Sequence, residues 1–432
     1  MPTTRLFLHP AVERQEIFDD LASRLAWYFG PVRDRLDAIH IALGRDVEAA
    51  AIPPDTFDPT VTTWVQAVRG LIKPSPASGA DALLEDMDPE RDLLLRWTVA
   101  EPPSGDMAAA INRMRANGRF YEIDAGATRM EGSFLLWAVA NNLMDSGPVL
   151  EQSRQRLKAF VDQLPQRDVA YVFGTGPSLS GYVASRDFSD GLCIASNSMV
   201  KNRELLEALK PVAIVAGDPL FHAGVSRYAA EFRRNLVRAL ETTGAMFFAP
   251  LRDYHIHAAN LPEHLRDRLI ALPFDAKEPY NPDLTEALYV NPKANVLTLF
   301  LLPLASTLAQ EVRIVGCDGR PLAQDQYFWK HDKAAQFNNE MDNIQRVHPA
   351  FFVRDYNDYY IEHCETVESS VRALEAAGRT VRAMTPSYVP ALAERYSDPL
   401  AGDDRVAEVI SLDPDDGKAG FELHAANERH CD

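Results

Sequence analysis

At 432 residues, 46% of them hydrophobic and 25% charged, the chain is long enough for two or three domains and has the composition of a packed globular protein, which excludes a disordered or fibrous chain. Lys plus Arg number 44 against 62 Asp plus Glu, and the net charge of −18 repels a polyphosphate backbone, so no nucleic-acid partner is expected. Cys193, Cys317, Cys364 and Cys431 form no CxxC pair, so neither a zinc site nor a disulfide framework is expected, as suits a reducing compartment.

The apolar run at the N-terminus, ending in Leu6-Phe7-Leu8, is too short for a signal peptide. No segment reaches the ~20 apolar residues that span a bilayer. The longest, residues 296–308, is interrupted by Pro303 and reads as a buried helix. The expected compartment is the cytoplasm, with peripheral attachment to a membrane-borne acceptor left open.

In chain order, short β-like runs at 5–8, 38–43, 93–99 and 120–123 alternate with helical periodicity at 12–28, 107–116, 133–142 and 149–164. That alternation predicts a smaller α/β domain over residues 1–165. The proline-bearing stretches 52–59 and 73–79 read as linkers. From Asp168 the pattern sharpens: strands at 169–173, 192–196, 212–216, 245–249, 312–316 and 380–384, with helices at 202–209, 228–243, 296–308 and 365–377. This predicts a doubly wound, mainly parallel, Rossmann-like sheet over residues 166–395, whose ligands bind beyond the carboxyl ends of the strands. An acidic, poorly ordered tail is expected over 396–432.

Gly174-Thr175-Gly176-Pro177-Ser178-Leu179 follows an apolar strand, so its glycines can turn the chain tightly and bring backbone N–H groups close to an anion. A plain β-to-α turn reads almost as well. A dinucleotide fingerprint wants a third glycine where Leu179 stands and an acidic residue where Asn197 stands, and a Walker loop wants Gly-Lys-Ser/Thr. Both are set aside.

Asn197, Asp218 (followed by Pro219) and Asp318 each end a predicted strand, and in a parallel sheet they converge on one rim near the 174–179 turn. Singly, each reads as well as a turn residue or helix cap. The stretch 327–363 is rich in aromatics and histidines, enough for a lid or pocket wall. Within it His331 and His348 read better as satisfied core histidines. His363 is placed one turn before the apolar face of a helix, where the helix N-terminus favours the neutral ring that a general base needs.

These segments together resemble the bacterial sialyltransferases of glycosyltransferase family 42 and the motility-associated-factor flagellin glycosyltransferases. The match runs over roughly 168–390: Gly174–Leu179, Ser196-Asn197, Asp218-Pro219, the apolar helix before Ile314-Val-Gly-Cys-Asp318, and His363 opening a helix that ends in Thr385-Pro-Ser387. The resemblance implies an inverting, metal-independent glycosyltransferase with no cofactor, using a CMP-activated acidic sugar of the sialic, pseudaminic or legionaminic type. Gly174, Thr175, Gly176, Pro177 and Ser178 would bind donor phosphates. Asn197, Asp218, Pro219 and Asp318 would hold the nucleotide, and His363 would be the general base. Tyr327 and Arg320 would offset charge on the leaving phosphate. The partners implied are the nucleotide sugar and a glycan, glycolipid or protein acceptor of a surface-polysaccharide or flagellar system, with a homo-oligomer left open. The family's Arg-x-x-Ser-Gly motif is replaced here by Asn291-Pro-Lys-Ala-Asn295. Two other readings stand beside this one. A Mg-dependent pyrophosphokinase of the pterin diphosphokinase-like type would draw its metal ligands from Asp218 and Asp318; the other is a non-catalytic nucleotide-binding protein.

Overall fold

The computed structural model describes residues 4–80, 82–97, 105–123, 132–293, 295–322, 331, 333–349 and 355–397. The expected tail from 398 onward and Tyr327 lie outside the described residues.

The fold is α/β and is built on two parallel sheets. The first has five strands, β1 (Thr4–Val12), β2 (Leu36–Leu43), β3 (Ile72–Pro76), β4 (Leu93–Trp97) and β5 (Phe120–Ile123), in the order β3-β2-β1-β4-β5. Side chains alternate across β1, so Leu6 and Leu8 join the large core under the helix Gln15–Phe29 while Phe7 packs on the opposite face with Leu84, Leu94, Ile111 and Met114. Helices therefore cover both faces, as a parallel sheet requires. The Pro-rich segment read as a linker from Lys73 onward is corrected here: it forms β3. At the sheet edge Pro74 and Pro76 need no second neighbour for the N–H they lack.

The second sheet has seven strands: β6 (Val169–Phe173), β7 (Leu192–Ser196), β8 (Ala213–Val215), β9 (Met246–Pro250), β10 (Leu269–Leu272), β11 (Glu311–Val315) and β12 (Thr380–Ala383). Their order is β10-β9-β8-β7-β6-β11-β12, all parallel. Tyr171 and Phe173 face one core and Ala170 and Val172 the other, so β6 is buried on both sides. The chain winds outward from β6 to β10, then returns to lay β11 on the other flank of β6. The winding reverses between β6 and β11, and in such sheets the ligand crevice opens where it reverses.

Several elements depart from the sequence pattern. The stretch expected to be irregular contains the helix Tyr254–Asn260 and β10, a four-residue apolar run too short to show a period. The helix expected to start at Glu365 begins at Tyr356, where Asp355 accepts from the amides of Asn357 and Asp358. The helix Ser146–Gln163 packs on the second sheet through Phe160 against Phe248 (5.7 Å), with Arg156 donating to Leu269 O at 2.9 Å. The chain thus joins the second sheet's layers ahead of Pro165.

The two halves share buried polar contacts. Trp27 Nε1 donates to Ala223 O at 2.8 Å, and Arg233 Nη2 pairs with Asp58 Oδ2 at 2.7 Å, both side chains buried. Among the described residues no helix is long and apolar enough to cross a membrane.

Candidate functional site

The loops after β6 and β11 are laced together. Gly174 N donates to Val315 O and Gly176 N to Gly316 O, both at 2.8 Å, and Ser178 N donates to Asp318 Oδ2 at 3.1 Å. A Cβ on Gly174 would stand 2.5 Å from Gly316 O, so the glycine is there for close approach of two backbones. The sequence pattern suggested amides turned toward an anion, but those of Gly174, Gly176 and Ser178 are engaged by the 315–318 segment. What the turn retains is side-chain chemistry. Thr175 Oγ1 lies 2.8 Å from His331 Nδ1, and Ser178 Oγ is buried with no hydrogen-bond partner. Burial pushes His331 down to about 4, which keeps the imidazole neutral at neutral pH.

Asn197, at the end of β7, has φ of 48°. Asn tolerates this left-handed conformation better than most residues, but it is sparsely populated. Its Oδ1 is buried without a hydrogen-bond partner, while the preceding Ser196 Oγ donates to Phe173 O at 2.8 Å and ties β7 to β6. Asn197 thus combines a sparsely populated backbone conformation with an unmatched buried acceptor just past the end of a strand.

Asp218 forms an Asx turn before Pro219: Oδ1 accepts from Leu220 N and Phe221 N at 2.8 and 2.9 Å, and its own N–H donates to His222 Nδ1 at 3.1 Å. Asp318 acts at the start of the helix Ser178–Ala184 through Ser178 N. These are the carboxylates that the sequence offered for a metal. They end β8 and β11, which β7 and β6 separate. Three strand spacings make about 14 Å, too far to share one ion.

His363 stands in the interior of the helix Tyr356–Ala376, not at its N-terminus, and this corrects the placement read from the sequence. The helix dipole fades beyond the first turn. Burial to 5% exposure, beside Tyr360 with ring centroids 6.2 Å apart, pushes it down to about 4 instead. Arg320 is 3% exposed and braces the same helix start, donating from Nη2 to Tyr356 O (3.0 Å) and Asn357 Oδ1 (2.7 Å) with its guanidinium over the Tyr360 ring. His348 is fully buried at the junction of the halves, near Arg24, and burial holds it well below its ordinary value.

Two residues at the same rim were missed. Arg252 and Asp253 follow β9, and Arg252 Nη2 donates to Gly217 O at 2.9 Å. Asp253 is 1% exposed, and burial pushes its carboxyl up to about 6 against the pull of Arg252, with Asp218 near enough to raise it further. The rule that picked out Asn197, Asp218 and Asp318, a polar residue just past an apolar strand, would also have found this pair.

No family model, curated protein or solved structure matches the chain.

Proposed function

We propose that the protein is an inverting, metal-independent glycosyltransferase whose CMP-activated acidic-sugar donor lies across the ends of β11, β6 and β7. The observation that carries this reading is the convergence, where the sheet's winding reverses, of the Thr175–His331 pair with Asn197, whose strained backbone holds an unmatched acceptor. Asn197 Oδ1 can accept from a nucleoside amine or hydroxyl, and Thr175 and Ser178 offer hydroxyls to a phosphate. A neutral histidine at this edge can take the proton of an acceptor hydroxyl. His331 fits that task better than His363, because it is the one hydrogen-bonded to the turn. Arg320, bound to the start of its helix, anchors the loop after β11, and Tyr327 remains the phosphate partner the resemblance implies. The separation of Asp218 from Asp318 weighs against a pyrophosphokinase that needs both on one metal.

Thermal-shift titration with CMP, CDP, UDP, GDP and ATP, each with and without EDTA or Mg²⁺, tests the assignment. Cytidine nucleotides are expected to bind tightest and without regard to EDTA. Preference for uridine or guanosine nucleotides overturns the donor, and Mg²⁺-dependent ATP binding overturns the reaction class.

A further inference from the structure

The end of β9 meets the first domain in a polar knot that the proposed nucleotide site leaves unexplained. The Arg252 guanidinium lies over the rings of Trp137 and Phe274, at 5.0 and 4.9 Å. Trp137 comes from the helix Gly132–Asn141, whose last residue reaches across to donate from Asn141 Nδ2 to Arg252 O at 3.0 Å. Nε of Arg252 points to Asp253 Oδ2 at 3.4 Å and Nη2 is bonded to Gly217 O. Among the described residues Nη1 makes no hydrogen bond, and the side chain keeps 26% of its surface exposed. Around it the Trp137 indole N–H faces the Asp253 carboxylate, and Asn141 Oδ1 is buried without a hydrogen-bond partner.

We propose that Arg252 Nη1 receives a carboxylate carried by the sugar of the substrate, at the junction of the two domains. Two aromatic rings, a carbonyl and a carboxylate fix the guanidinium, so little side-chain freedom is lost when it binds. A chain of net charge −18 with Asp218 and Asp253 beside this rim repels an anionic ligand unless a cation receives it, and Arg252 keeps a whole terminal nitrogen for that purpose. The unmatched Asn141 Oδ1 nearby suits a ligand that also carries a hydroxyl group, which favours a sugar acid over a bare anion. The inference rests on the proposed function only for the kind of sugar.

Titration of the full chain with N-acetylneuraminate, its methyl ester and inorganic phosphate, followed by ligand NMR line broadening, tests it. The free acid is expected to bind at least tenfold tighter than the ester, and Arg252→Gln to weaken the acid about ten- to hundredfold, the usual worth of a hydrogen bond to a charged group. Arg252→Lys keeps the charge but not the planar fork and is expected to fall between them. CMP affinity is expected to be unaltered in both variants. Equal binding of acid and ester, or wild-type affinity in Arg252→Gln or Arg252→Lys, overturns the proposal. Phosphate binding as tightly as the sugar acid overturns the sugar assignment. Binding of N-acetylneuraminate without any response to CMP sinks the nucleotide reading and leaves this inference standing.

Discussion

A Cβ placed on Gly176 would stand 1.9 Å from Asp318 Oδ2 and 2.7 Å from Gly316 O. The turn after β6 and the loop after β11 are in contact at this point, so the glycine serves the joint between two strands before it serves any ligand. Gly176→Val is expected to force the loops apart and destabilise the fold by ~1–3 kcal/mol or more, the range for overpacking, and so lower the melting temperature by several degrees. Asp318→Ala in the same chain removes the nearest clashing atom and should restore part of that loss. A Gly176→Val variant that melts with the wild type would show that the joint yields freely.

Asn197 makes a different prediction, because its strain is in the backbone. Asn197→Gly adopts φ of 48° at no steric cost, so the variant is expected to melt at or above the wild-type temperature. If Oδ1 receives the nucleotide, the same change should weaken nucleotide binding about tenfold. Undiminished affinity in isothermal titration removes Asn197 from the site.

Buried titratable groups set the dependence of stability on pH. His222, His255, His331 and His363 are all pushed to about 4 by burial, against 6.5 when exposed. Between those values the unfolded chain takes up protons that the folded one refuses, so stability should fall as pH drops from about 6.5 to about 4. Asp253 has the opposite sign. Raised from 3.8 to about 6, it favours the fold while protonated and loses that contribution as pH rises through about 6. Asp253→Asn should therefore gain in melting temperature relative to wild type at pH 8 and not at pH 4. The reverse ordering in scanning calorimetry would mean that the carboxylate is stabilised by Arg252 more than burial disfavours it.

Much of the fold was legible because buried parallel strands read as apolar runs. The β6 and β7 boundaries, Val169–Phe173 and Leu192–Ser196, coincide with their runs. The proline-bearing β3 hid because propensity argues against it, and only its edge position makes it tolerable. The start of the helix Tyr356–Ala376 hid behind Tyr-Asn-Asp-Tyr-Tyr, polar enough to pass for a loop. The strand-end polar residues could be picked out from the chain, but their partners could not. Nothing in the chain says that Ser178 N and Asp318 satisfy each other across 140 residues, or that His331 lands on Thr175.

The choice between His331 and His363 is the sharpest test of the catalytic reading. His331 touches the turn through Thr175, whereas His363 is packed inside a helix at 5% exposure beside Tyr360. If His331 is the base, His331→Ala should lower turnover by ~10²–10⁴ while nucleotide affinity stays near wild type. Thr175→Val, which removes the hydroxyl that orients the ring, should lower turnover by about tenfold and leave the melting temperature nearly unchanged. His363→Ala should do the opposite, melting several degrees earlier because a buried side chain is lost, yet turning over normally while folded. Since burial holds His331 at about 4, the wild-type rate should be flat with pH above about 5 and fall as the ring protonates through about 4. The fall should vanish from the residual rate of His331→Ala. Turnover abolished in His363→Ala and retained in His331→Ala would return the base to the helix, as the resemblance has it, and require that helix to move before the histidine meets an acceptor.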